Sequence, residues 1–247
     1  GRVMKSPRNK FLLRAGPVLG LALVIVAFTL LSDSPGQYLS IRNLRIILSQ
    51  TVIVALGALG MTVIIISGGI DLSVGSVIAL SGVITALGLR AGWATESAVC
   101  LGIASGLLVG FVNALMITRL RVVPFVATLG MLGIARGAAK WLGEEQTVNV
   151  PATWVNNLAV TFPQPPWLIV APAVWATLAL AVLMAVVLNR TIFGRRVFAL
   201  GSSEKAARAC GLQTDRLKVW IYSVSGLFFG MAGVTQMSRL RQGDPTV

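Results

Sequence analysis

Few side chains in this sequence could carry out covalent chemistry. The 247 residues include no histidine and two cysteines, Cys100 and Cys210. Cys100 lies in an apolar run and Cys210 in a basic loop, so we expect no disulfide between them. Without histidine, and without a cluster of cysteines or carboxylates, the sequence lacks the commonest general base and a set of metal ligands. We therefore predict no catalytic residue, no metal site and no cofactor.

One carboxylate has unusual surroundings. Asp71 is the sole acidic residue between Asp33 and Glu96. It lies in Gly68–Ser76, a segment that joins two apolar runs without a charged loop. Glycines at the start and end of this segment weaken helical structure. The sequence therefore predicts an interruption between two helices, with Asp71 or Ser73 as the N-cap of the second.

Two interpretations of this interruption remain open. It could be a tight turn at a membrane surface, in which Asp71 only caps a helix. It could instead be a helix break within the bilayer, which is tolerated only where protein buries it or water reaches it. A carboxylate within a membrane is a candidate functional residue. The second interpretation predicts a break that lines a translocation path, formed by Gly68, Gly69, Asp71, Ser73 and Gly75.

The basic loop 189–218 contains a second unusual segment. Ser203–Gly211 has the pattern of one short helix, because Ser203 can cap its N-terminus and Gly211 can end it. Glu204 suits the positive end of the helix dipole. One interpretation is an ordinary structured loop. The other, which we favour, is a small-sided helix on which a partner protein docks.

The composition shows what must position these two segments. The chain is 55% hydrophobic and 12% charged, which leaves too little polar surface for a soluble globule. Its mean hydropathy is +0.83. The formal charge of +13 does not indicate a nucleic-acid partner, because the basic residues cluster between apolar segments, where they set topology and face lipid headgroups. We predict an all-α, polytopic transmembrane helix bundle.

Seven apolar runs are long enough, or nearly so, to span a bilayer. The runs are Pro17–Leu31, Leu44–Ser67, Val74–Leu89, Ser97–Thr118, Val122–Leu142, Trp167–Leu188 and Val219–Met237. The basic N-terminus and the loop 189–218 are expected on the cytoplasmic side. The first run is expected to remain as an uncleaved helix.

Glycines at helical spacing predict close helix packing. The predicted packing residues form three groups in three different runs: Gly102, Gly106 and Gly110; Gly133 and Gly137; Gly226 and Gly230.

The two unusual segments together resemble a known family, the permease subunits of bacterial ABC importers for sugars, a ribose-type group related to the branched-chain amino-acid permeases. The family's GGIDLSVG motif stands intact at 68–75. Its G-x-N-x-x-A-A-x-x-S-G-I loop is similar to 201–212, with Ser203, Cys210 and Leu212 at the three changed positions. The segments 113–119, 124–131 and 134–137 also match, so the resemblance covers nearly the whole chain.

The resemblance implies a function and a set of partners. The chain would be the bacterial inner-membrane permease of an ATP-driven importer, moving a monosaccharide into the cytoplasm by alternating access. Its partners would be a cytoplasmic ABC ATPase, an extracytoplasmic sugar-binding protein, a second permease copy (identical or a paralogue) and membrane lipid. The ATPase would be coupled through the loop helix, which involves Gly201, Ser203, Glu204, Ala206, Ala207 and Gly211. The sequence contains no GxxxxGK[ST] loop, so ATP hydrolysis is expected on the separate subunit.

One departure from the family concerns length. A complete member would have about ten spans of roughly 20 residues each. We therefore expect this chain, a single permease domain over 1–247, to be truncated at its C-terminus. The alternatives are a non-sugar solute (an autoinducer or a branched-chain amino acid), an ion-coupled secondary transporter and an intramembrane enzyme.

Overall fold

The structure, a computed structural model, describes residues 7–32, 34–163 and 168–246. Asp33 and Trp167, named above, lie outside these ranges, as do the first six residues of the basic N-terminus. Four of the described helices are long and apolar enough to cross a membrane: Ile41–Ile66, Thr95–Thr118, Pro172–Arg190 and Thr214–Leu240. The apolar helices Val18–Leu31 and Val74–Arg90 are shorter. The predicted class, an all-α polytopic membrane protein, is confirmed.

Ten α-helices make up most of the described chain. They are α1 (Pro7–Leu31), α2 (Pro35–Tyr38), α3 (Ile41–Ile66), α4 (Val74–Arg90), α5 (Thr95–Thr118), α6 (Pro124–Leu142), α7 (Pro172–Arg190), α8 (Ile192–Ser202), α9 (Glu204–Ala209) and α10 (Thr214–Leu240). The strands β1 (Val148–Asn149) and β2 (Gln242–Gly243) pair antiparallel, and Trp154–Asn157 forms a 3₁₀ helix.

The chain divides into two compact units, Gly1–Ile47 and Leu48–Val247. The first unit contains α1, α2 and the start of α3. Within it, the Asn43 side chain donates to the Tyr38 carbonyl oxygen at 2.7 Å, which ties α2 to the first turn of α3. Both unusual segments of the sequence lie in the second unit.

Each of the seven predicted spans corresponds to a helix. The helix of the sixth predicted span is α7. It begins at Pro172, and proline is favourable as the first residue of a helix. Three of the corresponding helices do not meet the criterion for a spanning helix among the described residues. In α1 only the shorter stretch Val18–Leu31 is apolar enough. Helix α4 has only 17 residues. Helix α6 has 19 residues and carries Arg136 and Lys140, which lower its hydropathy.

Polar and apolar residues in the second unit are distributed as in a membrane protein. Asn113, Thr85 and Ser225 are fully buried. Val54 and Ile134 are large apolar residues and are exposed. In lipid, exposed apolar side chains carry no penalty, whereas polar groups must find partners inside the protein. The bundle therefore buries its small polar residues between helices.

Helices α5 and α10 make a close backbone contact. A Cβ atom added at Gly106 would lie 2.6 Å from the Gly230 nitrogen. One added at Gly110 would overlap the Tyr222 carbonyl oxygen, and one at Gly226 would overlap the Gly106 carbonyl oxygen. Only glycine allows the two backbones to approach this closely. Four of the glycines predicted to pack helices therefore meet at a single interface.

Helix α4 packs against the same pair of helices. A Cβ at Gly102 would overlap the Thr85 hydroxyl, which donates to the Ser81 carbonyl oxygen at 2.8 Å. A Cβ at Gly82 would lie 3.2 Å from the Gly233 carbonyl oxygen on α10. Helices α4, α5 and α10 consequently form one tightly packed core.

The prediction for the glycines of α6 differs from the structure. A Cβ added at Gly133 or Gly137 would have no neighbour within 4 Å among the described residues. Both glycines are exposed. The buried side of α6 instead carries Met131, Ala135 and Ala139. Helical spacing alone did not reveal which face of α6 turns toward the bundle.

The segment between α6 and α7 packs over the end of the bundle opposite to α8 and α9. Val155 in the 3₁₀ helix is fully buried, and its carbonyl oxygen accepts from the Ser238 hydroxyl at 2.6 Å. The Ala159 carbonyl oxygen accepts from the Ser49 hydroxyl at 2.8 Å. These bonds join the connection to α3 and α10.

The contact between α5 and α10 predicts opposite effects for one substitution at two glycines. Gly110→Ala should lower the midpoint of thermal unfolding in lipid nanodiscs, because overpacking against backbone costs roughly 1–3 kcal/mol. Gly133→Ala is the matched control and should be neutral or stabilising, since alanine is favoured over glycine in a helix by up to ~1 kcal/mol. Equal midpoints for the two variants would contradict this packing.

Candidate functional site

The predicted interruption lies between α3 and α4. Gly68 has a φ of +81°. Its N–H donates to the Ile65 carbonyl oxygen at 3.0 Å, and the Gly69 N–H donates to that of Ile64 at 2.9 Å. This pair of bonds is the Schellman motif, which ends a helix at a glycine of positive φ. Residues 69–73 then run without regular structure until α4 begins.

Side chains in the interruption alternate between two sides. Asp71 and Ser73 are buried, at 3% and 0% exposure. Ile70 and Leu72 are exposed, at 49% and 36%. Alternation with a period of two is the mark of extended backbone. The interruption therefore directs its polar side chains into the bundle and its apolar side chains outward. Gly75, in the first turn of α4, has open space around it.

Asp71 organises a buried hydrogen-bond network. Its Oδ1 atom accepts from the Ser73 backbone N–H at 2.8 Å and from the Ser73 hydroxyl at 2.6 Å. Asn113 on α5 donates to the Ser73 Oγ at 3.1 Å and lies 3.4 Å from the Asp71 Oδ2. Ser73 occupies the N-cap position, but its side chain makes no capping bond of its own. The carboxylate of Asp71 thus fixes the start of α4 and ties it to α5.

Helix α10 closes the other side of the interruption. The Tyr222 hydroxyl lies 3.5 Å from the Ile70 carbonyl oxygen. A Cβ added at Gly69 would lie 2.7 Å from the same hydroxyl, so no larger residue fits there without a shift. The extended segment is therefore held between Asn113 of α5 and Tyr222 of α10.

The basic loop touches this interruption directly. Helix α8 brings Gly201 against the end of α3, and a Cβ added at Gly201 would overlap the Ile66 carbonyl oxygen. A Cβ added at Gly68 would lie 3.9 Å from the Gly201 Cα. Because this contact is made by backbone atoms, it leaves no flexible side chain to absorb a displacement. The two segments singled out in the sequence therefore meet in space.

The short loop helix forms as predicted. The Ser203 hydroxyl accepts from the Ala206 N–H at 3.3 Å, as an N-cap does. Gly211 has a φ of +81°. The Gly211 N–H donates to the Arg208 carbonyl oxygen, and the Leu212 N–H to that of Ala207. This is the same glycine motif that ends α3. Helix α8, which precedes α9 in the loop, was not predicted.

Charged side chains join α9 to the start of α10. Both Glu204 carboxylate oxygens accept from the Lys218 ammonium at 2.8 Å. Arg208 donates to Thr214 at 2.7 Å and forms ion pairs with Asp215 at 3.1 Å and Glu204 at 3.2 Å. A single exposed ion pair contributes little to stability, but a network of several pairs contributes more. The network therefore holds α9 against the start of α10.

Lys218 also sets the ionisation of Glu204. The hydrogen bond from Lys218 lowers the pKa of Glu204 below its ordinary value of 4.5, against an opposing effect of burial. A lowered pKa means that folding favours the charged carboxylate. The tie between α9 and α10 is therefore complete above pH 4.5 and is lost as the pH falls through the lowered pKa.

The two alanines predicted for docking point in different directions. Ala206 is exposed, whereas Ala207 is 7% exposed and packs toward the bundle. The open side of α9 also includes Lys205 and Ala209, and the exposed Gly211 follows the helix. A partner that docks on α9 would meet this side and not Ala207.

Sequence reasoning missed several residues that build the site. Asn113 and Tyr222 lie far from Asp71 along the chain, and only the packing of α5 and α10 brings them together. A polar asparagine in the apolar run 97–118 was the available signal for the first. Lys218 and Arg208 lie in the basic loop 189–218, and the sequence alone predicts no contact for either. No three His, Cys, Asp or Glu side chains of the described ranges form a group that could hold a metal ion.

The fold and the site define an all-α, multi-spanning membrane protein with an interruption tied to a basic loop. The family model for the permease component of branched-chain amino acid transport systems matches residues 43–246, and the chain belongs to this family. The chain is 38% identical over 94% of its length to a ribose import permease protein of Bacillus subtilis (strain 168), of which it covers 71%.

Other relatives carry a different name. The chain is 31% identical over 90% of its length to an autoinducer 2 import system permease protein of Photorhabdus luminescens, covering 66% of it. It is 30% identical over 89% of its length to a protein of the same name from Yersinia pestis (strain Pestoides F), covering 62%. The chain thus spans about two thirds of the relatives it matches. No solved structure matches it.

The buried network predicts that Asp71→Ala destabilises the chain. Removal of the carboxylate leaves the N–H and the hydroxyl of Ser73 buried without an acceptor, at a cost of roughly 1–3 kcal/mol for each donor. The measurement is the midpoint of thermal unfolding in nanodiscs. Asp71→Asn should lose less, because its side-chain amide oxygen can still accept from the Ser73 N–H.

Asp244 provides the control for this prediction. Its Oδ1 atom accepts from the Thr246 N–H at 2.8 Å and from the Thr246 hydroxyl at 2.6 Å, but in an exposed position. Asp244→Ala should therefore change the midpoint little, since water replaces the lost acceptor. If Asp71→Ala and Asp244→Ala lower the midpoint equally, burial of the Asp71 network is not the cause.

Proposed function

We propose that this chain is the membrane-spanning permease of an ATP-driven importer, which carries a monosaccharide into the cytoplasm by alternating access. The observation that carries the proposal is the backbone contact between Gly201 of the basic loop and the end of α3 at Ile66. It gives a force applied to the loop a direct route to the interruption at 68–73. The names of relatives with up to 38% identity support the same conclusion.

The proposed orientation places the N-terminus and the loop 189–218 in the cytoplasm of a bacterial cell. This loop contains Arg190, Arg195, Arg196, Lys205, Arg208, Arg216 and Lys218. Such an excess of basic residues marks the cytoplasmic side of a membrane protein. The connection between α6 and α7, which carries Glu144 and Glu145, then lies outside.

Three protein partners follow from the proposal. A cytoplasmic ATPase docks on the open side of α9 and hydrolyses ATP, so the chain itself is a transport subunit and not an enzyme. An extracytoplasmic binding protein delivers the sugar to the opposite end. A second permease copy completes the path, whose wall in this chain includes the exposed Ile70 and Leu72.

The contacts suggest how the ATPase moves the path. Glu204 and Lys218 tie α9 to α10, while Gly201 ties α8 to α3. The glycine contacts and the Asp71 network join α4, α5 and α10. A push on α9 therefore swings this block as one rigid body. Rigid-body rocking of one half against the other is a general route to alternating access.

Three other functions compete with this proposal. An autoinducer or a branched-chain amino acid could replace the sugar, as the names of the relatives and of the family suggest. An ion-coupled transporter would need ionisable groups within the membrane, and Asp71 is engaged by Ser73 in the described structure. An intramembrane enzyme would have to act without histidine.

The test is uptake of labelled ribose by cells that express the chain with its genomic neighbours. We expect uptake that requires ATP, persists when proton and sodium gradients are collapsed, and resists competition by autoinducer 2 and leucine. Loss of uptake when the ion gradients are collapsed would contradict an ATP-driven importer. Competition by unlabelled autoinducer 2 or leucine would contradict the assignment of a sugar as the substrate. It would leave the proposal of an ATP-driven importer intact.

A substitution pair tests the docking role of α9 in the same assay. Glu204→Arg should abolish most uptake, because it places a positive charge beside Lys218 and detaches α9 from α10. Gly211→Val should act similarly, since valine is strained at a φ of +81°. Arg190→Glu, a charge reversal at an exposed residue of the same loop but outside α9, is the control. Normal uptake by both α9 variants, at normal membrane levels, would refute the docking role.

A further inference from the structure

A long apolar groove lies between α7 and α10 and ends at the basic loop. Its volume is about 980 Å³. The apolar walls are formed chiefly by Leu183, Val187, Phe193, Trp220, Leu227 and Met231. Leu183 and Trp220 are more than half exposed, at 57% and 65%. Apart from Gly211 at its mouth, the transport function proposed above makes no use of this groove.

The length of the groove matches one leaflet of a bilayer. From Trp220 to Met231, α10 rises about 16 Å along its axis. Half of a hydrocarbon core about 30 Å thick is roughly 15 Å. A spanning helix would need a groove along the full thickness. The walls therefore suit acyl chains of one leaflet better than a further transmembrane helix.

The end of the groove at the loop is positively charged. Arg196 of α8 and Arg216 of α10 both line it, and both are exposed. The Gln213 side chain accepts from Arg216 at 2.8 Å and holds that guanidinium at the groove mouth. None of the described residues that line the groove is acidic. The nearby Asp215 is paired with Arg208 instead.

We propose that this groove binds an anionic phospholipid from the leaflet that faces the basic loop. Its acyl chains lie along α7 and α10, and its phosphate lies between Arg196 and Arg216. Two guanidinium groups from different helices suit a phosphate, because each can donate two hydrogen bonds in a fixed geometry. Basic pockets between transmembrane helices on the cytoplasmic side bind anionic headgroups in this way. In the proposed orientation this is the inner leaflet.

Trp220 provides a probe within the groove itself. The chain is purified in detergent and titrated with phosphatidylglycerol or phosphatidylcholine, each brominated on its acyl chains. The measured signal is the quenching of tryptophan fluorescence that is due to Trp220, which is the part of the quenching that is absent in the Trp220→Phe variant. We expect half-maximal quenching by phosphatidylglycerol at a concentration roughly 10- to 30-fold lower than by phosphatidylcholine, because each arginine contributes up to about a fivefold step.

Charge-matched variants locate the headgroup. Arg196→Gln with Arg216→Gln should remove the preference for phosphatidylglycerol and leave quenching by phosphatidylcholine intact, which also reports a folded groove. Arg195→Gln with Lys205→Gln removes the same charge from the same loop, at exposed residues outside the groove. This control should keep the preference.

Three results would overturn the proposal. The first is equal quenching by the two lipids in the unsubstituted chain. The second is an equal loss of preference in both double variants, which would assign it to the general charge of the loop. The third is the absence of Trp220 quenching by either lipid, as expected if a protein segment fills the groove.

Discussion

The contact of Gly201 with the Ile66 carbonyl oxygen is the constraint on which the account of this permease depends. It joins the basic loop to the end of α3 through backbone alone. A contact between side chains could yield by rotation about its bonds, whereas packed backbone transmits a displacement. The loop and the interruption at 68–73 therefore cannot move independently without separating this contact.

The surrounding contacts convert that local constraint into a rigid core. Glycines at the interface of α5 and α10 bring the two backbones together, and the Asp71–Ser73–Asn113 network fixes the start of α4 against α5. Apolar burial gives little drive for association among helices in lipid, so close packing and internal hydrogen bonds carry the stability. The same features that hold the bundle together also position the extended segment.

Much of this arrangement was predictable from the sequence. Apolar runs predicted seven helices, because backbone in lipid must satisfy its own hydrogen bonds. Ser203 and Gly211 predicted α9 because capping is a local interaction. Helix α8 was missed, since its basic residues hid an apolar face that includes Val197 and Leu200.

Contacts between distant parts of the chain could not be predicted in the same way. The meeting of Gly201 with Ile66, and of Asn113 with Ser73, depends on how helices pack and leaves no signal in local spacing. Gly133 and Gly137 show the converse case. They have the spacing of a packing motif, but α6 turns them away from the described bundle.

The distance between the interruption and the loop tests the central claim most directly. Spin labels at Leu72 and Ala199, which are both exposed, would be placed in a chain with Cys100 and Cys210 replaced by serine. Pulsed electron paramagnetic resonance would then measure their separation within a single labelled permease copy of the proposed importer, without nucleotide and with ATP bound. We predict one unchanged distance distribution, because Gly201 and Ile66 move together. A shift of the distribution on ATP binding would show that the loop moves without the interruption and would contradict the account.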